Sequence, residues 1–393
     1  MGLSHYYTPT RVTFGPGAED MAAQELKKEG ARRVLIHYGS ARIEKNGLLN
    51  KIRKQLEEAG IEYFLLSGVV PNPRLSLVRK GIQLCRENRA DFILAVGGGS
   101  VIDSAKCIGY GAAYDGDVWD FYSQKAVPQA SLPVGCVLTM AAAGSEMSDS
   151  SVITNEDGEL KRGCNSDVCR LRFALMNPQL TYSLPPYQTS CAIVDIMMHT
   201  MERYFTGGSS LPLTDNLAFA LLNTVKQAGL AALEKGDDYT ARASLMWASS
   251  LSHNGLMAAG NDTKGDWACH QLEHELSGMF DVAHGAGLAA IWPAWARFCM
   301  SVSPGRIAEL GRRVFCVEST GDDEKDAEAA VEAVEAFYKS INMPVRIKDL
   351  GIELTDEQIS TLAEKCTFFG KRRIGAFRSL GREEIEKIYT LAR

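Results

Sequence analysis

Short apolar runs alternate with amphipathic stretches through the first part of the chain and then stop. RVLIHY from Arg33, IEYFLL from Ile61, FILAV from Phe92 and PVGCVL from Pro133 are runs of the length and composition of buried strands. Between them, Leu48 to Ala59 and Asn72 to Asn88 carry apolar residues at helical spacing. This alternation predicts a largely parallel sheet covered by helices. Past Pro185-Pro186 the strand signals vanish. A proline at a helix start loses nothing, because its N–H has no partner within the helix. The helix it opens runs through Ile193, Ile196 and Met197 to about Thr206, where Gly207-Gly208 stops it. Helical patterns then continue to the end, among them an acidic amphipathic segment, Asp322 to Tyr338, expected on the surface. The pattern predicts two domains, an α/β domain over 1–183 and an all-helical domain over 184–393.

Composition narrows the class. The 393 residues are 46% hydrophobic, enough for two cores, and the net charge of -6 gives no basic face for nucleic acid. No stretch reaches the roughly 18 apolar residues needed to cross a bilayer. The start, MGLSHYYTPTRVTFGPG, has no charged and then apolar leader. Ten cysteines are scattered with no CxxC pair, the pattern of reduced thiols. A cytoplasmic protein is expected.

Two constellations carry chemistry. In VGGGSVIDSAK, Val96 to Lys106, a strand run leads into three glycines and a helix start. Glycines let the backbone approach a phosphate, free N–H groups donate, and the helix dipole favours the anion. The same residues also suit a tight strand–helix turn without ligand. Asp103 and Lys106 lie on the first turns of that helix, where they could face a cofactor or solvent. The second constellation holds four of the seven histidines. DIMMH puts Asp195 and His199 at i, i+4, and HQLEHELSGMFDVAHG holds His270, His274 and His284. One carboxylate and several imidazoles suit a first-row divalent cation with a position left for substrate. Any single one of these histidines also fits a core or surface role; the set favours the metal, since a buried Asp195 without a cation or donor is costly. The zincin HExxH pattern is absent. Trp267, Trp119, Phe121 and Trp247 suit either a hydrophobic substrate pocket or an ordinary core.

Together, GGGSVIDSAK, the VGCVLTMAAAGSEMS strand–turn, the DxxxH pair and the HxxxH…HG cluster resemble the iron-containing (group III) alcohol dehydrogenases, in their butanol dehydrogenase and broad aldehyde reductase branch. The resemblance spans nearly the whole chain. It implies a dehydroquinate-synthase-like fold, an NAD(P)-dependent alcohol dehydrogenase or aldehyde reductase acting on small to medium, mainly apolar alcohols and aldehydes, and a homodimer. It implies Asp195, His199, His270 and His284 as metal ligands, with Fe²⁺ the expected ion and Zn²⁺ the alternative, and His274 as the unligated histidine near the nicotinamide; as the spare imidazole of the cluster, His274 suits the proton relay. Gly98, Gly99 and Ser100 are implied at the pyrophosphate and Asp103 near the nicotinamide riboside. Thr139, Ser145, Lys161, Tyr182 and Leu184 are implied along the cofactor. One departure stands out: where the family turn more often has Ser or Thr, Ala143 precedes Gly144, which removes one hydroxyl. A dehydroquinate-synthase-like lyase or a sugar-phosphate cyclase shares the fold. Its phosphorylated substrate calls for a Lys/Arg cluster, and only Lys264 lies near the histidines in sequence.

Cofactor choice is read from HYGSARIEKNG, past the second apolar run. An acid there selects NAD by taking the ribose 2′-hydroxyl, whereas small residues with a nearby Arg admit NADP. Gly39, Ser40 and Arg42 precede the first acid, Glu44, so NADP(H) is expected over NAD(H).

Overall fold

The structure, a computed structural model, describes residues 3–39 and 41–393. Among the described residues up to 184, eight strands form: β1 (Arg11–Phe14), β2 (Arg33–Tyr38), β3 (Glu62–Leu66), β4 (Phe92–Gly97), β5 (Val134–Leu138), β6 (Ser150–Asn155), β7 (Leu160–Asn165) and β8 (Phe173–Met176). Six make one sheet in the order β1-β8-β5-β4-β2-β3, all parallel. The expected strands are β2 to β5, at the centre and one edge of this sheet. Helices cover both faces, so the central strands are apolar on both sides. Alternate residues feed different cores: Leu35, Ile93 and Ala95 enter one cluster, while Val34, Ile36, Phe92, Leu94 and Val96 enter the other. β6 and β7 pair as a separate antiparallel hairpin.

Buried His37 ties this unit together. Its Nδ1–H donates to the Leu66 carbonyl at 3.0 Å and its Nε2 accepts from Ser104 Oγ at 2.8 Å. That joins β2, β3 and the helix Gly99–Ala112. Burial holds its pKa down at about 4, so the ring is neutral.

Two compact units are present. One is Tyr7–Leu184 with Asp237–Asn254; the other is Pro185–Gly236 with Gly255–Arg393 and the described residues up to Tyr6. The helix Tyr239–His253, expected from the sequence in the helical domain, thus packs with the sheet unit. The helical unit is built from eight long helices, including Pro186–Tyr204, Ala268–Phe280 and His284–Cys299, around fully buried Trp292 and Trp295. Its described residues hold no strand, only an isolated bridge between Ile374 and Leu380. The acidic segment forms the helix Asp323–Ser340, capped by the Asp322 carboxylate, with Ala327, Ala330, Val331 and Val334 turned inward. Among the described residues no helix is long and apolar enough to cross a membrane.

Candidate active site

The helical unit brings three of the four predicted ligands, the histidines, around one oxygen of the fourth, Asp195. Asp195 and His199 sit one turn apart on Pro186–Tyr204, a helix buried nearly all round. His270 lies near the start of Ala268–Phe280, and His284 is the first residue of His284–Cys299. Asp195 Oδ1 is 3.1 Å from His199 Nδ1, and 3.7 Å from the Nε2 atoms of both His270 and His284. The approach of His284 depends on Gly285: a Cβ there would lie 2.1 Å from the Cys191 carbonyl oxygen. Only a glycine lets the two helices come this close.

This arrangement leaves buried polar atoms unsatisfied. Asp195 Oδ1 and His270 Nε2 are buried polar atoms with no hydrogen-bond partner. His199 Nδ1–H does not supply one, because it is directed at the Asp195 backbone carbonyl, 2.9 Å away. A buried carboxylate oxygen facing ring nitrogens and accepting nothing is costly. Asp195 Oδ1, the Nε2 atoms of His270 and His284, and the His199 Nε2 that its Nδ1–H bond leaves unprotonated are donors a first-row divalent ion accepts, so the residues present fit the metal. Burial and neighbouring charges shift these groups in different directions. Burial pushes the Asp195 carboxyl up, but His199 and His284 beside it outweigh this and hold it well below the usual carboxylate range. Burial takes His199 down to about 4, leaving it neutral. Burial also lowers His270, but the Glu202 carboxylate prevails and raises it to about 9; the ring lies between two carboxylates that both favour positive charge.

Glu202 and Glu273 are site residues that sequence reasoning missed. Each is fully buried, and each carboxylate takes the Nδ1 of one histidine: Glu202 that of His270, Glu273 that of His284. The available signal was position, since Glu202 is seven residues past Asp195 and Glu273 three past His270. Both therefore share the inward face of a ligand helix. His274 is half-buried beside the cluster, its ring centre 5.8 Å from that of His284 and 6.5 Å from that of His270. Trp267 lies edge-on to His199 and His270, with the Arg203 guanidinium 4.4 Å over its ring. Arg203 Nη1 also donates to the His199 carbonyl, so this cation, unflagged in the sequence, backs the site.

The sheet unit holds the glycine turn. Gly98 caps the helix Gly99–Ala112 in an extended conformation, and its carbonyl receives the amides of Val101 and Ile102. The amides of a first helical turn have no acceptor within the helix, so those of Gly99 and Ser100 are the free donors an anion needs. Side chains are excluded by the neighbouring turn: a Cβ on Gly98 would meet Met140 Cβ at 3.0 Å, and one on Gly99 would meet Ala143 Cβ at 2.9 Å. Thr139 is held at this crossing, its amide donating to the Gly97 carbonyl at 3.0 Å.

Several predicted cofactor residues have partners inside the protein. Asp103 accepts from Ser145 Oγ and, at 2.9 Å, from the Val152 amide. Ser145 is itself buried. Lys106 faces neither cofactor nor solvent: it is fully buried, its ammonium donating to the carbonyls of Ser145, Ser148 and Ser150 at 2.7, 3.1 and 2.7 Å. The helix Tyr239–His253 braces the same turn from outside. His253 Nδ1–H donates to the Ala143 carbonyl at 2.6 Å, and Ser249 Oγ accepts from the Gly144 amide at 3.0 Å. Gly144 must be glycine, because its φ is +61° and a Cβ would lie 2.3 Å from the Ser249 carbonyl oxygen.

Lys161 is buried on β7, while Tyr182 and Leu184 are half-buried in the segment after the short helical turn Pro178–Thr181. The Arg42 guanidinium donates to Ser183 Oγ, which brings the loop past β2 to that same segment. Gly39 packs under Val69, and Glu44 accepts from Tyr38 Oη at 2.8 Å. Ser40 lies outside the described residues. Of the four aromatics, Phe121 is core and Trp119 packs against that core, stacked on Tyr122. Trp247 sits partly exposed, edge-on to Phe14. Only Trp267 adjoins the histidines.

Residues 9–178 match the family model described as iron-containing alcohol dehydrogenase, and residues 189–392 match that of the C-terminal part of the Fe-containing alcohol dehydrogenase family. The chain belongs to the iron-containing alcohol dehydrogenase family. It is 38% identical over 385 residues to the NADH-dependent butanol dehydrogenase A of Clostridium acetobutylicum, with 98% of each chain covered. It is 32% identical over 396 residues to the NADPH-dependent aldehyde reductase YqhD of Escherichia coli, with 100% of each covered. A crystal structure of NADH-dependent butanol dehydrogenase A from Thermotoga maritima superimposes with a TM-score of 0.95 at 35% identity, covering 100% of this chain and 99% of that one. As a member of this family the chain is an oxidoreductase of the alcohol dehydrogenase and aldehyde reductase type with a dehydroquinate-synthase-like fold. The lyase and cyclase alternative is not favoured.

Proposed function

We propose that the chain is a metal-dependent, NADP(H)-preferring reductase of small to medium, mainly apolar aldehydes, and dehydrogenase of the matching alcohols. The observation that carries this is Asp195 Oδ1, buried, unpartnered and facing the ring nitrogens of three histidines. Asp195, His199, His270 and His284 hold the cation, with Fe²⁺ the expected ion. When bound, the metal supplies Lewis acidity toward a carbonyl oxygen and the nicotinamide supplies or takes the hydride. The residues of the chain do the rest. Gly98, Gly99 and Ser100 offer backbone donors to the pyrophosphate. Asp103, Thr139, Ser145, Lys161, Tyr182 and Leu184 shape the remainder of the cofactor site. His274, beside the cluster and outside the ligand set, delivers the proton through its imidazole N–H to the alkoxide oxygen and takes it back in the reverse direction. Trp267, edge-on to two of the ligand rings, supports an apolar substrate. Nine of the ten cysteines are buried and all are free, which supports a reducing, cytoplasmic setting. We also read the protein as a homodimer, with β1 and β3, the edge strands of the sheet, as candidate pairing surfaces.

The NADP(H) preference rests on the loop past β2. Glu44, its first acid, is engaged by Tyr38, and Gly39 carries no side chain, so Arg42 is the charge that reads a 2′-phosphate. With one aldehyde, kcat/KM for NADPH should exceed that for NADH, and Arg42→Gln should cut this ratio by about tenfold, the worth of one charge-assisted hydrogen bond. Gly39→Asp should shift it the same way. A parent that prefers NADH, or an Arg42→Gln ratio that stays put, would contradict the assignment.

A further inference from the structure

We infer that Glu202 and Glu273 are positioning residues of the metal centre, each fixing the tautomer and aim of one ligand histidine. The inference rests on the metal-site reading above. A neutral imidazole carries one N–H, and an ionised carboxylate can only accept. With Glu202 Oε2 on His270 Nδ1 and Glu273 Oε2 on His284 Nδ1, the neutral form of each ring keeps its proton at Nδ1 and presents an unprotonated Nε2. Both Nε2 atoms then point to one place, each 3.7 Å from Asp195 Oδ1.

Both carboxylates are anchored through their second oxygen. Glu202 Oε1 accepts the Cys269 amide at 2.7 Å, so it also caps the helix that carries His270. Glu273 Oε1 accepts from Ser277 Oγ, one turn along its own helix. Space for Glu273 depends on Gly287, where a Cβ would lie 2.8 Å from Glu273 Cγ. The HGAG segment therefore needs its first glycine for helix approach and its second for this carboxylate. His199 is oriented differently, through the Asp195 backbone carbonyl, which no side-chain substitution removes. Two of the three imidazoles thus depend on buried glutamates, and their negative charge strengthens the donors a cation meets.

The test titrates the metal-stripped full chain with Co²⁺ in competition with a chelator, and counts bound metal by elemental analysis. The parent should bind one Co²⁺ per chain. Glu202→Leu and Glu273→Leu should weaken it by about 10–100-fold with an unchanged circular dichroism spectrum. Glu273→Gln keeps an acceptor for the His284 Nδ1–H but loses the charge, and should fall between parent and Glu273→Leu. Equal affinity in parent and leucine variants would overturn the inference. If the leucine variants do not fold, parent-like affinity in Glu273→Gln overturns it instead. A folded parent that binds no Co²⁺ would refute the metal-site reading itself, which is a distinguishable result.

Discussion

His270→Ala is expected to reduce aldehyde turnover about a thousandfold and to yield protein that holds little metal. The Nε2 of His270 is one of two buried atoms at the cluster that have no other partner, so its loss removes a donor that nothing nearby replaces. A Lewis-acid contribution of several kcal/mol corresponds to about three decades in rate. Extended dialysis of the parent against a strong chelator should give the same low rate, with recovery on adding back Fe²⁺ or Zn²⁺. Both treatments should leave the circular dichroism spectrum close to that of the parent, because each unit has its own apolar core. Full turnover in protein shown by elemental analysis to be metal-free would remove the mechanism.

His274→Ala should separate rate from metal content. The ring lies against His270 and His284, and Asp195 Oδ1 is approached by three other histidines. The variant should keep its metal and lose about one to two orders of magnitude in kcat, the lower part of the range for a positioned proton-transfer group. Metal analysis and steady-state kinetics on one preparation check this. Loss of the metal would make His274 a ligand and require a new assignment of the four.

The sheet was legible where the chain is apolar on both faces. RVLIHY, FILAV and VGCVL are mostly apolar, with Arg33 at a strand end and His37 the one polar interruption, and they are central strands β2, β4 and β5. β1 and β8 were not read as strands because each is only four residues long, and the β6–β7 hairpin because SSVITN and LKRGCN are polar. The strand character of β1 and β8 comes from neighbours distant in sequence, β8 for β1 and β5 for β8. The return of Tyr239–His253 to the sheet unit has no local signal either: its residues suit any buried helix, and the destination is revealed by contacts such as those of Ser249 and His253 with the 143–144 turn and of Ser250 with Glu146.

At the site, the asymmetry is chemical. Histidine is scarce in this chain, so four of seven in two clusters attracted notice. Glutamate is common and ordinarily solvated on helices, so Glu202 and Glu273 did not, although both are fully buried. Lys106 shows the converse. A lysine beside a glycine turn suggests a ligand contact, yet its ammonium satisfies three backbone carbonyls and serves to hold the turn. Sequence spacing brings donors to one face of a helix, but which partner they meet is decided by the packing of other helices.

The most direct measurement on the metal centre is an anomalous difference map from crystals of the protein as purified, with data collected on both sides of the iron and zinc absorption edges. A single strong peak is expected about 2.0–2.3 Å from Asp195, His199, His270 and His284 together, the range for carboxylate and imidazole ligands to a first-row ion. A map from active protein with no peak among these four side chains, or with its metal held elsewhere, would contradict the assignment of the site.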